Sequence, residues 1–380
     1  MVSFDSPHLL HPLPYNACSF LLTVTTAVKC NPDAMVLKLL AELGTGFDCA
    51  SKSEIEQVLA LNVNPDRVIY AQPCKTSSYV RYVRSAGVKQ MTFDNADELY
   101  KIAKLYPGAE LFLRIMTDDT SSQCRLSMKF GAPMDTTEGL LALARRLDLN
   151  VVGVSFHVGS GASDPMAFLK AIQDSHAVFE QARDHGYELR TLDVGGGFCG
   201  ETFEDMAAVL SAALDEYFPP SHNINIIGEP GRFFVSSAFT IACNVIARRT
   251  VEGPDMDPSY MVYVNDGVYG NFSCIMFDHY SPAAKILRAG GRSYYDAPGA
   301  NEAADGSGIQ YSIWGPTCDG IDRITESIRF HQTLDVGDWV YFENMGAYTK
   351  CSATRFNGFS DDHDVIYVCS ETGAKALMKM

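Results

Sequence analysis

The sequence predicts an α/β protein in two parts, a (β/α)8 barrel of the TIM type followed by an antiparallel β domain. Three observations carry this. Eight short β-branched runs alternate with longer amphipathic stretches up to about Ser237. Strand-like runs then follow one another directly. The residues with unusual chemistry fall at the ends of the early runs.

The eight early runs are 21–29, 45–49, 67–72, 90–94, 110–116, 151–158, 191–195 and 224–229. Between them, 34–43, 52–61, 78–86 and 96–105 carry apolar residues at three- and four-residue steps, which places them on one helix face. The stretches 168–185 and 204–217 fill the later gaps. Asp94 or Asn95 can cap the helix at 96–105, because a short side-chain oxygen there accepts from the first turn. Parallel strands need a crossover that a helix supplies, so this alternation predicts a parallel sheet. Eight units without a break fit a closed barrel, with an open doubly wound sheet as the alternative. After Ser237 the runs are 239–249, 260–266, 272–277, 309–314, 339–342 and 365–369, joined by Gly, Pro and Asp. The segments 289–308 and 252–258 read as mobile loops, the first from its Gly, Ala and Asp content, the second from two prolines and three acids. The expected division is an atypical segment over 1–20, the barrel over 21–236 and the β domain over 237–380.

Composition excludes several classes. Hydrophobic residues make up 47% of the 380, enough for a large core. A net charge of -16 excludes duplex nucleic acid as a partner, which demands basic patches. The acidic field favours cationic small molecules at long range, although solubility alone accounts for it as well. The 11 cysteines form no C-x-x-C pair and sit singly in apolar runs, as reduced thiols of a cytoplasmic protein do. The apolar stretch 20–28 has no basic residue before it, which argues against a secretory signal. No window reaches the ~20 apolar residues of a membrane span.

In such a barrel the active site lies at the carboxyl ends of the strands. The first run ends in Lys29; a lysine desolvated at a barrel mouth becomes a nucleophilic amine, whereas a lone lysine closing a strand is more often a surface residue. The second ends in Asp48, the sixth in His157, Gly159, Ser160 and Gly161, the seventh in Asp193 and the triplet Gly195, Gly196, Gly197, and the eighth in Glu229, Gly231 and Arg232. Three consecutive glycines let backbone N–H groups approach an anion, and Ser160 and Arg232 add a hydroxyl and a fixed charge. Singly, a glycine triplet is a turn and a strand-end histidine a core residue. Together, an amine, an anion nest, a carboxylate and an imidazole on one face fit pyridoxal 5'-phosphate, which requires a lysine, a phosphate cradle and a carboxylate at its ring nitrogen. Glu229 is the candidate for that carboxylate and His157 for a ring stacked on the cofactor.

The segments 27–31, 44–51, 156–161, 229–232, 314–320 and 343–348 resemble the eukaryotic ornithine decarboxylases, fungal members most of all. These belong to the pyridoxal-phosphate decarboxylases with an alanine racemase-like barrel. The resemblance runs from about Ala27 to Ser370. It implies that Lys29 holds the cofactor, that Glu229 meets the ring nitrogen and that His157 stacks on the ring. Ser160, Gly197, Gly231, Arg232 and Tyr348 would hold the phosphate, and Asp48 and Arg125 would order the cofactor side. It also implies a homodimer with shared sites, in which Cys318 and Asp319 enter the partner's site. Cys318 would reprotonate the α-carbon. Asp319 and Asp278 would meet the distal amine of ornithine beside Phe277, and Phe356 would supply an apolar surface near the departing carboxylate. An antizyme would be a further protein partner. The resemblance fails over 1–20 and in the run 21–26.

Rival readings are a lysine, arginine or diaminopimelate decarboxylase on the same fold and a non-catalytic regulator of the antizyme-inhibitor kind. Asp319-Gly320 argues against diaminopimelate, whose second end is zwitterionic. Lysine differs from ornithine by one methylene, worth only ~1–3 kcal/mol in a pocket. The intact candidate residues argue against the regulator.

Overall fold

The computed structural model describes residues 2–3, 22–253, 256–295, 297, 307–359 and 364–369. Segment 1–20, apart from residues 2–3, and half of the loop expected at 289–308, residues 296 and 298–306, lie outside them, while 289–293 close a hairpin of Ala284–Ala289 with Arg292–Ser293 rather than a loop. The described residues divide into two compact units, one of residues 22–233, the other of residues 2–3 with those from 234 to 369.

The first unit is the predicted barrel. Its strands are β1 (Leu22–Ala27), β2 (Gly46–Cys49), β3 (Val68–Tyr70), β4 (Gln90–Phe93), β5 (Glu110–Arg114), β6 (Asn150–Ser155), β7 (Thr191–Asp193) and β8 (Asn225–Gly228). They pair in chain order, all parallel, and β8 returns to β1 to close the barrel. The strands are buried along most of their length, as a sheet covered on both faces must be. Ile69, Phe112 and Val152 form one cluster although β3 and β5 are not neighbours, so they meet across the barrel interior. Gly153 makes room there, since a Cβ at that position would come 2.8 Å from the Phe112 ring.

The helices follow from their ends as well as their faces. Asn95 rather than Asp94 caps Ala96–Leu105, its Oδ1 accepting from the Glu98 N–H at 3.0 Å. Lys52–Ala60 opens with a reciprocal pair: Ser51 Oγ accepts from Glu54 N–H and Glu54 Oε2 accepts from Ala50 N–H at 2.6 Å. That cap sits directly after β2 and fixes the chain leaving Asp48.

The second unit holds a seven-stranded sheet in the order Arg292–Ser293, Ala284–Ala289, Trp339–Phe342, Ile241–Gly253, Met256–Val264, Ile309–Trp314, Arg323–Phe330. It is antiparallel except between Met256–Val264 and Ile309–Trp314, which run parallel. Ile241–Gly253 pairs through its first residues with Trp339–Phe342 and through the rest with Met256–Val264. Its core includes Val262, Ile286, Ile313, Phe330 and Phe342.

Two further expectations are corrected. The run 272–277 is not a strand but a 3-10 turn, Asn271–Ser273, continuing into the short helix Cys274–Phe277. A short apolar run reads the same in either state. Within 252–258, residues 252–253 and 256–258 belong to strands, so most of the expected loop is a hairpin.

Because Phe112 is fully buried in the cluster with Ile69 and Val152, Phe112→Ala is expected to cost about 3–5 kcal/mol of barrel stability. Urea unfolding followed by circular dichroism measures it. A loss below ~1 kcal/mol would show that this cluster does not hold the barrel together.

Candidate active site

Strand ends bring Lys29, Asp48, Arg114, His157, Asp193 and Glu229 to one end of the barrel. Lys29 lies in the 3-10 turn Val28–Cys30 that follows β1, and its Nζ forms an ion pair with Asp48 Oδ2 at the end of β2. Asp48 is 1% exposed and the lysine side chain 38%. The lysine therefore faces the carboxylate of Asp48. Asp48 Oδ1 has no donor among the described residues.

Asp193, the last residue of β7, and Glu229, the residue after β8, are both buried. Asp193 Oδ1 accepts from Gly195 N–H at 2.9 Å, and Gly195 O accepts from Glu229 N–H at 2.7 Å. Burial, then the neighbouring Asp193 and Asp48 carboxylates, push the Glu229 carboxyl well up. Burial pushes Asp193 up to about 7, against the Gly195 N–H and the contact with Glu229. Burial lowers Arg114, while Glu229, Asp48, Asp94 and Asp193 act to raise it.

His157 is held neutral. Burial and the charges of Arg114 and Lys29 lower it to about 3. Its Nδ1 accepts from Gly159 N–H at 3.0 Å, so the ring proton belongs on Nε2. Gly196 leaves space for it, since a Cβ there would lie 2.9 Å from Nε2. Gly195 and Gly197 take φ of +64° and +103°, and side chains there would meet the carbonyls of Phe156 and Gly159. The triplet is thus a loop that only glycine can form, of the kind whose N–H groups approach an anion closely, with Gly195 N–H already given to Asp193. Arg232 donates to Ser160 Oγ at 3.1 Å, so the predicted guanidinium and hydroxyl meet. Gly231 packs against Cys30 and Ala27, where a Cβ would come within 2.9 Å.

Arg125 is 45% exposed and pairs with Asp119 at 3.4 Å. Asp119 is fully buried and accepts from Leu126 N–H, Ser127 N–H and Ser127 Oγ, which holds its carboxyl low despite burial.

The remaining candidates belong to the second unit. Asp319 Oδ2 accepts from Tyr269 O–H at 2.5 Å, and that bond lowers Asp319 and raises Tyr269 to about 12. The Tyr269 ring stacks on Phe356 with centroids 4.3 Å apart. Cys318 is exposed, and its N–H donates to Asn357 Oδ1 at 3.0 Å. Their loop is pinned by the buried Asp322, which accepts from Thr317 N–H and Val268 N–H. Phe277 is 64% exposed and the adjacent Asp278 is buried. Tyr348 is half-buried, with a φ of +54°.

Sequence reasoning gave no role to Arg114, Asp193, Asp119 or Tyr269. Arg114 and Asp193 end strands and so carried the signal used for their neighbours. Asp119 and Tyr269 lie in connections, where a single polar residue announces nothing.

The donor set tests the fit to pyridoxal phosphate on this structure's own terms. Glu229 Oε1 is buried without a donor, where a ring N–H would satisfy it. The glycine loop is a cradle that a Cβ would fill, beside a guanidinium and a hydroxyl. An amine lies at the same end of the barrel. The residues fit the group.

Known proteins agree. Residues 16–236 match the family described as pyridoxal-dependent decarboxylase, pyridoxal binding domain. The chain is 68% identical to the ornithine decarboxylase of Neurospora crassa, over 93% of this chain and 77% of that one. It is 49% identical to antizyme inhibitor 2 of Xenopus laevis, over 92% and 76%. Among solved structures it superposes on the arginine decarboxylase of Paramecium bursaria Chlorella virus with a TM-score of 0.83 and 37% identity, over 91% of this chain and 90% of that one.

The raised Asp193 carboxyl predicts a pH dependence for the cofactor-free protein. The folded state holds a proton there that the unfolded chain releases near the ordinary carboxylate value. That stability is complete below about pH 4 and is lost as pH rises through about 7. The depressed His157 acts oppositely, adding stability above about pH 6.5 that is lost as pH falls toward 3. Comparing wild type with Asp193→Asn isolates the first effect. The thermal midpoint of the variant should exceed that of wild type at about pH 8 and approach it at about pH 4. Equal differences at both would show that Asp193 does not hold a proton.

Proposed function

This chain belongs to the pyridoxal-dependent decarboxylases and, within them, to the ornithine decarboxylases, and from that membership we propose the roles of its residues. It converts L-ornithine to putrescine and carbon dioxide, the first step of polyamine synthesis, with pyridoxal 5'-phosphate as cofactor. When bound, that cofactor supplies an electron sink for the pair left as the carbon–carboxylate bond breaks. The observation that carries the reading is the convergence of an amine, a buried carboxyl pair and a glycine cradle at one barrel end.

Lys29 Nζ is the amine that holds the cofactor, and Asp48 keeps it oriented. Glu229 meets the ring nitrogen, where a buried carboxyl gains most from a cationic partner. His157, neutral and fixed through Nδ1, offers its ring to the cofactor's flat face without adding charge. N–H groups of the loop Gly195, Gly196, Gly197, with Gly231, Ser160 and Arg232, bind the phosphate, and Tyr348 adds a hydroxyl. Arg125, through Asp119, braces the loop on that side.

Cys318 Sγ returns a proton to the α-carbon. Asp319 and Asp278 bind the distal ammonium through charge complementarity. Tyr269 sets the Asp319 carboxylate, while Phe277 and Phe356 cover the aliphatic chain. The protein works as a homodimer in the cytoplasm, and Cys318 and Asp319 of one copy complete the barrel site of the other. A non-catalytic, antizyme-binding role is the second reading, given the antizyme-inhibitor relative. Lys29, His157, Glu229 and Cys318 all stand in this chain, which favours the enzyme.

The direct test offers ornithine, lysine and arginine to the purified holoenzyme and measures amine products and carbon dioxide. Putrescine should dominate, and Lys29→Ala should make none. Agmatine or cadaverine as the main product would overturn the substrate assignment.

The shared site predicts complementation. Lys29→Ala and Cys318→Ala chains, each inactive alone, should regain up to about a quarter of wild-type activity when mixed, because random pairing leaves one intact site in half the dimers. No recovery after demonstrated exchange of subunits would contradict it.

A further inference from the structure

We propose that Asp193 is a positioning residue that shares one proton with Glu229, so that the two carboxyls act as a single negative charge toward the cofactor's ring nitrogen and as one frame for the glycine loop. The inference rests on the assignment of Glu229 to that nitrogen.

Strand register brings the two together. Asp193 lies beside Ile227 in the β7–β8 pairing, and Glu229 follows Ile227 by two residues. Side chains two apart on a strand face the same side, so both carboxyls face the barrel mouth. Both are buried, Asp193 at 1% and Glu229 at 8% exposure. Their backbones are tied through one residue. Gly195 N–H donates to Asp193 Oδ1 at 2.9 Å, and Gly195 O accepts from Glu229 N–H at 2.7 Å.

The two remaining oxygens decide the matter. Asp193 Oδ2 and Glu229 Oε1 are buried and have no N–H or O–H donor among the described residues, although the register sets both carboxyls on one face of adjacent strand ends. Two carboxylates cannot satisfy each other, because each only accepts. One proton between them satisfies Asp193 Oδ2 and leaves Glu229 lone pairs for a ring N–H.

The charges around the pair press the same way. Lys29 and Arg114 are the cations and Asp48 and Asp94 the remaining anions, with His157 neutral. Were Asp193 and Glu229 both ionised, four negative charges would face two positive ones, which costs several kcal/mol per unpaired buried ion (roughly). One shared proton removes one of these unpaired charges. The pair then resembles other like-charged carboxyl dyads, in which one member stays protonated.

In the cofactor-free pair Glu229 is the more strongly raised carboxyl; a cationic ring N–H at Glu229 leaves the shared proton on Asp193, and the proposal makes asparagine a substitute for Asp193 in that state. Asparagine Oδ1 can accept from Gly195 N–H while its Nδ2 donates to Glu229, leaving the single charge on Glu229. Alanine removes both bonds, and serine can reach Gly195 but not Glu229. The test loads wild type, Asp193→Asn, Asp193→Ala, Asp193→Ser and Glu229→Gln with pyridoxal phosphate labelled with nitrogen-15 in the ring. The ring-nitrogen chemical shift and the cofactor dissociation constant are recorded. Asp193→Asn should keep the protonated-nitrogen shift and bind within about threefold of wild type, whereas alanine and serine should weaken binding at least about tenfold, the scale of a lost buried hydrogen bond. Asparagine behaving like alanine would overturn the proposal, since Asp193 would then be needed as a charge. Wild-type binding by both alanine and serine would overturn it by removing any positioning role. Serine carries this comparison if alanine does not fold. Glu229→Gln reports separately on the underlying reading: an unchanged nitrogen shift there would mean that Glu229 is not the ring partner, whatever the Asp193 variants do.

Discussion

Three carboxyls buried at the carboxyl ends of the second, seventh and eighth barrel strands, Asp48, Asp193 and Glu229, are the constraint to which the rest of the mouth answers. A closed parallel barrel brings its strand ends together whatever residues they carry. Burial then makes each negative charge costly unless a cation or a proton meets it. Lys29 answers Asp48 directly. Arg114 contributes a charge felt by all three. His157 cannot help as a cation, because the same two positive charges and burial keep it neutral. The mouth is therefore poised for a ligand that brings a cationic N–H to Glu229 and an anion to the glycine loop.

Buried aspartates recur as loop anchors in both units. Asp119 gathers Leu126 and Ser127, Asp193 holds Gly195, Asp266 holds Gly267 and Asn271, and Asp322 joins Thr317 to Val268. Each accepts backbone N–H groups that would otherwise be unpaired in the interior. The loops so held carry Arg125, the phosphate nest, Tyr269, Cys318 and Asp319. Part of the net charge of -16 is thus structural, located beneath the functional loops rather than spread for solubility. The Tyr269 O–H extends the same logic to Asp319, fixing a carboxylate that is itself exposed to ligand.

Much of the barrel was legible because each strand is a short β-branched run set against a helix with its own face and caps. All eight early runs contain strands, displaced by a few residues at their ends, and Lys29 falls beyond its strand in a 3-10 turn. The second unit was harder to read. Ala284–Ala289 and Arg323–Phe330 mix charged and apolar residues, and Glu326 interrupts the alternation of the latter. The helix at Cys274–Phe277 hid in an apolar run that fits either state. In the site, motif residues were found because their types announce chemistry. Arg114 and Asp193 were passed over because a lone charge at a strand end reads as ordinary until its burial and neighbours are known.

The central claim is that the mouth is completed by a ring nitrogen carrying a proton to Glu229. It is tested most directly by comparing pyridoxal phosphate with its 1-deaza analogue, in which carbon replaces that nitrogen and the aldehyde and phosphate are kept. Equilibrium titration of each into the cofactor-free protein gives the two dissociation constants. The account predicts that the analogue binds at least about tenfold more weakly, because it leaves a buried carboxyl without its donor. Equal affinity for the two would contradict the account, since Glu229 would then have no ring proton to meet.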